Sequence, residues 1–320
     1  MPLRLPLSIL SPSGPRARLS ILIFHRVLAQ PDPLFPELPD AIAFEERMRW
    51  VREWFHVLPL ARAVEQLYAG TLPSRALSIT FDDGYADNVE LAAPILRRLG
   101  LTASFFIATG YLGGGCMWND RVIEAIRGFA GPEIDLTRLG LARHALGTHE
   151  ERARAIGKLL GSIKHLEAAQ RQSMTDRIVE AAGAGAPPAL MMQPRQLRRL
   201  REMGMSVGAH TVTHPILSRL PEDAAFAEMR DSRRVLEDIL REPVRLFAYP
   251  NGVPGDDYDA QHVRMARECG FSAAVSTAWG AASARSDRFQ LPRFSPWDST
   301  RLRYGVRLLA NFTQTERVAA

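Results

Sequence analysis

An α/β fold, with βα units laid around a parallel sheet, is what this sequence predicts, and three observations carry the prediction. Short apolar runs alternate with longer stretches of helical periodicity. Every group equipped for chemistry, His25, Asp82 with Asp83, His210 and Asn251, sits where one of those runs ends. In parallel α/β folds, ligands collect at the C-terminal ends of the strands. A length of 320 residues suits a single domain, spanning 1–320, with a sizeable core.

Taken in order, Leu19 to Phe24 is the first strand candidate and ends at His25. Phe44, Met48, Val51 and Phe55 recur at helical spacing. Ala76 to Phe81 is the second strand and runs straight into Asp82; Asp87 or Asn88 is placed to cap a helix reaching Leu99 and closed by Gly100. Ala103 to Ala108 is a third run, apolar enough to be buried on both faces. Residues 116–190 then read as a helical insertion without a convincing strand, leaving through a Gly/Ala/Pro stretch at 183–188. Alternation resumes with a helix from Pro194 to Met203, a strand from Met205 to Ala209 and a long helix from Asp223 to Leu240. A strand from Val244 to Ala248, a helix from Asp259 to Cys269, and strands at Ser272–Val275 and Phe289–Leu291 complete the pattern.

Composition narrows the function. The net charge of +5 comes almost wholly from arginine, since Lys158 and Lys164 are the only lysines, and no basic run is dense or interleaved with aromatics. Nucleic-acid binding is therefore not expected. Only Cys116 and Cys269 are present, which offers no disulfide framework. No apolar run is long enough to span a membrane, and Arg4 and Pro6 interrupt the first ten residues where a signal peptide would need an apolar stretch. Cytoplasmic residence is the expectation, with peripheral membrane contact left open.

The chemistry lies in two motifs. Thr80-Phe-Asp-Asp-Gly84 places two carboxylates at a strand end, and His210-Thr-Val-Thr-His214 follows a second strand. One carboxylate and two imidazoles make a common ligand set for a catalytic zinc that keeps a position open for water, and the other carboxylate is then free to act as a base. Asp-Asp-Gly alone reads as a turn, and each histidine alone as a polar loop residue. Their joint position at the ends of different strands favours a metal hydrolase.

These two motifs resemble those of the polysaccharide deacetylase (NodB-homology) family, and the resemblance extends from about His25 to Trp297. It implies a distorted (β/α) barrel of about seven parallel strands and metal-dependent removal of N-acetyl groups from amino sugars of a glycan. Asp82 matches the family's catalytic base, and Asp83, His210 and His214 its ligands to a divalent metal, by default Zn2+. The third motif departs from the family's Arg-x-Pro-Tyr-Gly: here it reads Phe247-Ala-Tyr-Pro-Asn-Gly252. Ala248 replaces the arginine that orients the base, and Arg293 at the last strand is the substitute expected. Asn251 replaces the tyrosine whose backbone N–H serves the oxyanion; Asn251 and Tyr249 are taken as substrate-binding. The family's C-terminal Leu-x-His is absent, and His25 after the first strand resembles the acid histidine of a permuted subgroup that includes poly-N-acetylglucosamine deacetylases. Trp118 is a candidate platform for a sugar ring, whereas Asp120 reads as a helix cap. His144, His149, His165 and His262 read as surface residues. Hydrolysis of small cyclic amides or imides, and glycan binding without catalysis, stand as the alternative functions.

Overall fold

The computed structural model of the protein describes residues 3–295, 298–314 and 317–319. Trp297, where the family resemblance ends, lies outside them. The strands are β1 (Leu19–Phe24), β2 (His56–Val57), β3 (Ala76–Phe81), β4 (Ser104–Ile107), β5 (Glu133–Asp135), β6 (Arg143–Ala145), β7 (Ser206–Ala209), β8 (Leu246–Ala248) and β9 (Ala273–Val275). The helices are α1 (Arg4–Leu10), α2 (Ala41–Trp54), α3 (Leu60–Tyr68), α4 (Ala93–Arg98), α5 (Trp118–Gly128), α6 (His149–Ile163), α7 (Ala168–Ala181), α8 (Pro194–Glu202), α9 (Glu222–Leu240), α10 (Ala260–Glu268) and α11 (Arg301–Asn311).

Among the described residues seven strands form one parallel sheet in the order β1-β3-β4-β7-β8-β9, with β2 beside β3. The sheet curls into a distorted half-barrel, and the segment 291–294 bridges its open side. The Leu291 N–H donates to Ala274 O at 3.0 Å, and the Phe294 N–H donates to Ile21 O at 2.8 Å. The strand expected at 289–291 is therefore reduced to isolated bridges, to Val275 at Leu291 and to Leu22 at Phe294. Pro292 lies between them and has no N–H with which to extend either ladder.

Strand alternation sorts the side chains into two layers. Leu22, Phe24, Leu77, Ile79, Phe81, Phe105, Phe247 and Ala274 belong to the large core shared with α2, α4, α8, α9 and α10. Leu19, Ile21, Ala76, Phe106, Leu246, Ala248 and Val275 form a smaller core together with α3. Along β3 the positions alternating with Leu77, Ile79 and Phe81 are Ser78, Thr80 and then Asp82, all buried. The pleat thus aims the first aspartate at the inside of the barrel, while Phe24, Phe81 and Phe105 stack against the helical layer with ring centroids 5.4 and 4.8 Å apart.

The insertion has a core of its own, with Val122, Ile126, Ile134, Leu136, Ile156, Leu159 and Ile178 packed from α5, α6, α7 and an antiparallel hairpin, β5 with β6. The insertion is mostly helical as expected, but that hairpin corrects the expectation that it holds no strand. Each of its strands buries a single side chain, Ile134 or His144, too few to show a period of two. Two histidines read as surface residues are buried: His144 in β6, and His262, whose Nδ1 meets the carboxylate of Asp259, the N-cap of α10. Asp87 also departs from its expected role. It caps no helix; the chain enters α4 through a π-helical turn at Asn88–Ala92, and the Asp87 carboxylate pairs instead with Arg26 at 2.8 Å.

Candidate active site

Asp82 and Asp83, consecutive residues that a continuing strand would send to opposite faces, both come within 4 Å of His210 Nε2, because the backbone turns sharply there, with φ of +76° at Asp83 and +94° at Gly84. A side chain at Gly84 would press a Cβ to 3.2 Å from Ile107, so glycine suits both the conformation and the space. The Asp82 carboxylate is buried and held at both oxygens by the Arg293 guanidinium, at 2.6 and 2.7 Å. Arg293 is itself fully buried, donates from Nε to Ser276 O at 2.8 Å, and lies over the Phe106 ring. Planar two-point pairing suits arginine and fixes the carboxylate's orientation. Burial alone would raise the pKa of Asp82; the charge and hydrogen bonds of Arg293, together with His210 and His25, outweigh it and hold the group below the ordinary carboxylate range.

Asp83 faces two histidines. Its Oδ1 lies 3.5 Å from His210 Nε2 and 3.4 Å from His214 Nε2. That oxygen is buried and has no hydrogen-bond partner among the described residues. His210 ends β7 and its Nδ1 lies 2.7 Å from Ala248 O, a contact that places the proton on Nδ1 and leaves Nε2 with a lone pair. His214 is brought round by the loop 210–214, in which Thr211 and His214 both have positive φ. Burial pushes the His214 imidazole down to about 4, so it is neutral at pH 7. His210 is shifted the other way: burial opposes its charge, but Asp82 and Asp83 outweigh burial and raise it.

An orphaned carboxylate oxygen between two imidazole nitrogens fits a divalent cation. Tetrahedral zinc with bonds of about 2.0–2.1 Å has ligand edges of about 3.3–3.4 Å. Asp83, His210 and His214 are the one such group found among the described residues. Cys116 is not part of it, and burial pushes both its thiol and that of Cys269 up to about 11, which leaves them protonated and unreactive.

Asn251 and His25 flank this centre. Asn251 has a φ of +57° and shares a cleft of about 240 Å³ with Asp83, His214 and Trp118. No acceptor among the described residues takes its backbone N–H. His25 is exposed, so it is not a core histidine, and it lines a cavity of about 190 Å³ with Asp83, Tyr85 and Asn119.

A family model described as polysaccharide deacetylase matches residues 69–274, more than half of the chain. The chain belongs to the polysaccharide deacetylase family. YxkH of Bacillus subtilis, whose name places it provisionally among the polysaccharide deacetylases, is 22% identical over 279 residues, 87% of this chain and 71% of that protein. Two solved structures share the fold: the Streptococcus pyogenes deacetylase PplD in complex with acetate, and IcaB from Ammonifex degensii. PplD is 20% identical with a TM-score of 0.58, covering 87% of this chain and 92% of its own. IcaB is 17% identical with a TM-score of 0.59, covering 92% of this chain and 97% of its own.

His25 and Arg293 fall outside the matched residues, yet the deacetylase fold brings both to the same strand ends as Asp82. Of the residues expected at the site, Tyr249 is the correction. It alternates with Ala248 and so joins Phe247 in the outer layer, where it is fully buried, stacks on Tyr258 at 3.8 Å and donates its hydroxyl to Phe289 O. Its side chain is part of the core and does not touch the cleft. Asp120 caps as expected, accepting the Met117 N–H at 3.0 Å, and it also takes the Tyr85 hydroxyl at 3.1 Å; burial lifts its pKa to about 6. The deacetylase chain also relies on contacts that no sequence signal pointed to. Glu228, from α9, accepts the N–H groups of Val212 and Thr213 at 2.7 and 2.8 Å and so holds the histidine loop. Asn88 donates to His25 O at 2.8 Å and holds the loop after β1.

Proposed function

We propose that this deacetylase is a metal-dependent hydrolase removing N-acetyl groups from N-acetylhexosamine residues of a glycan or a lipid-linked glycan precursor. One juxtaposition carries the reading: a buried carboxylate clamped by a buried arginine lies 3.8 Å from an imidazole of an Asp/His/His set. Asp83, His210 and His214 would hold the cation, with zinc the choice of that donor set. When bound, it supplies Lewis acidity that makes water a better nucleophile and the amide carbonyl a better electrophile. Asp82, kept ionised beside Arg293, accepts the proton of the attacking water. Arg293 is a positioning residue, aiming Asp82 without touching substrate. The Asn251 N–H, which has no acceptor among the described residues, donates to the oxyanion that develops on the carbonyl. His25 gives a proton to the departing amine, the role its place after β1 has in the permuted subgroup. Trp118 offers a ring face to the sugar.

Purified protein is expected to release acetate from N-acetylglucosamine oligomers, to stop when treated with a chelator and to resume when zinc is restored. Undiminished acetate release from chelated protein would remove the metal from the scheme, and ring opening of imides without acetate release would favour a small cyclic amide as substrate. Metal uptake should also depend on pH. His210 must release its Nε2 proton before a cation binds, and Asp82 and Asp83 raise the pKa of that proton. Zinc affinity is therefore expected to grow as pH rises through neutrality and to fall in acid. Zinc titrations at stepped pH check this, and an affinity flat between pH 5 and 8 would contradict it.

A further inference from the structure

The cleft beside the metal-site residues carries a charge arrangement that deacetylation of a neutral sugar does not require. Its wall opposite Asp83 comes from the insertion: Trp118 opens α5, Lys164 follows the last residue of α6, and Arg171 lies in the first turns of α7. Arg171 is 9% exposed, stacks its guanidinium 5.1 Å from the centre of the Trp118 ring, and spends one N–H on Lys164 O at 3.3 Å. No carboxylate lies within ion-pair distance of Arg171 or Lys164 among the described residues, in contrast to Arg293 and Asp82. A buried, uncompensated guanidinium is costly. Burial depresses the pKa of Arg171, opposed only by the Tyr111 hydroxyl. Among the described residues the only acid lining this cleft is Asp83, which faces the two histidines. The positive strip runs on into an adjoining pocket of about 280 Å³, which shares Lys164 and Arg171 and adds His165 and Arg219 against a single acid, Glu167. Lys164 is one of only two lysines in the chain.

We propose that Arg171 and Lys164 form a subsite for an anionic group, a phosphate or a carboxylate, carried by the glycan next to the sugar that is deacetylated. The inference rests on the deacetylase reading and narrows its substrate to an anionic glycan. A guanidinium fixed on an aromatic face with N–H groups to spare presents a planar donor edge, and the nearby ammonium adds a movable charge. The sugar would lie on Trp118 with its N-acetyl group towards Asp82 and its anion towards α7.

The test compares kcat/KM for acetate release from three oligomers of equal length: neutral N-acetylglucosamine, the same bearing a phosphate, and the same bearing a uronate. The wild-type chain is expected to favour an anionic oligomer by about tenfold or more, through KM, and to lose that preference as salt is raised. The arm with the larger preference identifies the anion. Arg171→Gln should bring the ratio close to one, and Lys164→Glu, in the half-buried turn after α6, should invert it. Equal kcat/KM for all three oligomers in the wild-type chain, or a preference that survives Lys164→Glu, would overturn the subsite. If no oligomer yields acetate, the deacetylase reading fails, and calorimetric binding of the same oligomers decides the subsite separately: salt-sensitive binding of the anionic ones, lost in Lys164→Glu, upholds it, and equal affinity refutes it.

Discussion

Asp82→Asn is expected to lower acetate release by about a hundred- to ten-thousand-fold while the variant still binds zinc, because general-base assistance is worth about that much. The amide matches the carboxylate in shape and can still accept from Arg293, but it cannot take a proton. Asp82 lies 3.8 Å from His210 Nε2, whereas Asp83 lies within 3.5 Å of both imidazoles. Removing Asp82 should therefore leave the ligand set whole, and the change should fall on kcat with zinc content untouched. Asp83→Ala should instead lose zinc and acetate release together. Should Asp82→Asn keep a tenth or more of the wild-type kcat, or lose its zinc as Asp83→Ala does, the division of labour between the two aspartates is wrong.

The second large effect is expected from Arg293→Met, a loss of about 3–5 kcal/mol of stability together with most of the activity. Removing one partner of a buried pair leaves the other charge uncompensated at roughly that cost. Without the guanidinium, burial is free to raise the pKa of Asp82, so the acid limb of any residual activity should move to higher pH. The double variant Asp82→Leu/Arg293→Met separates structure from chemistry: it should recover most of the lost stability, since paired apolar side chains of similar volume can replace a buried ion pair, and none of the activity. Denaturant unfolding and pH–rate profiles read both. An Arg293→Met protein with unchanged stability and an unmoved acid limb would deny Arg293 its role in holding the base.

The barrel and the grouping of Asp83, His210 and His214 could be read from the sequence because their signals are local. A continuous apolar run ending in two aspartates needs no knowledge of the rest of the chain, and β1 and β3 occupy the residues expected of them. Arg293 could also be found, since Ala248 left the base without its usual partner and an arginine ended the last strand candidate. What failed was long-range. The motif places Tyr249 in the cleft, whereas the pleat of β8 sets it with Phe247 on the helical side. Asp87 had the look of a cap, but a partner 61 residues away, Arg26, claimed its carboxylate. The hairpin β5–β6 was hidden because three-residue strands with one buried side chain carry no periodicity.

The bridge at 291–294 gives the order of synthesis a chemical meaning. Until those residues have emerged and docked between β9 and β1, the pocket has Asp82 without the arginine that clamps it, and the sheet is unbridged at Ala274 O and Ile21 O. A polypeptide cut short ahead of Leu291 is thus expected to forfeit closure and the clamp on Asp82 in one stroke.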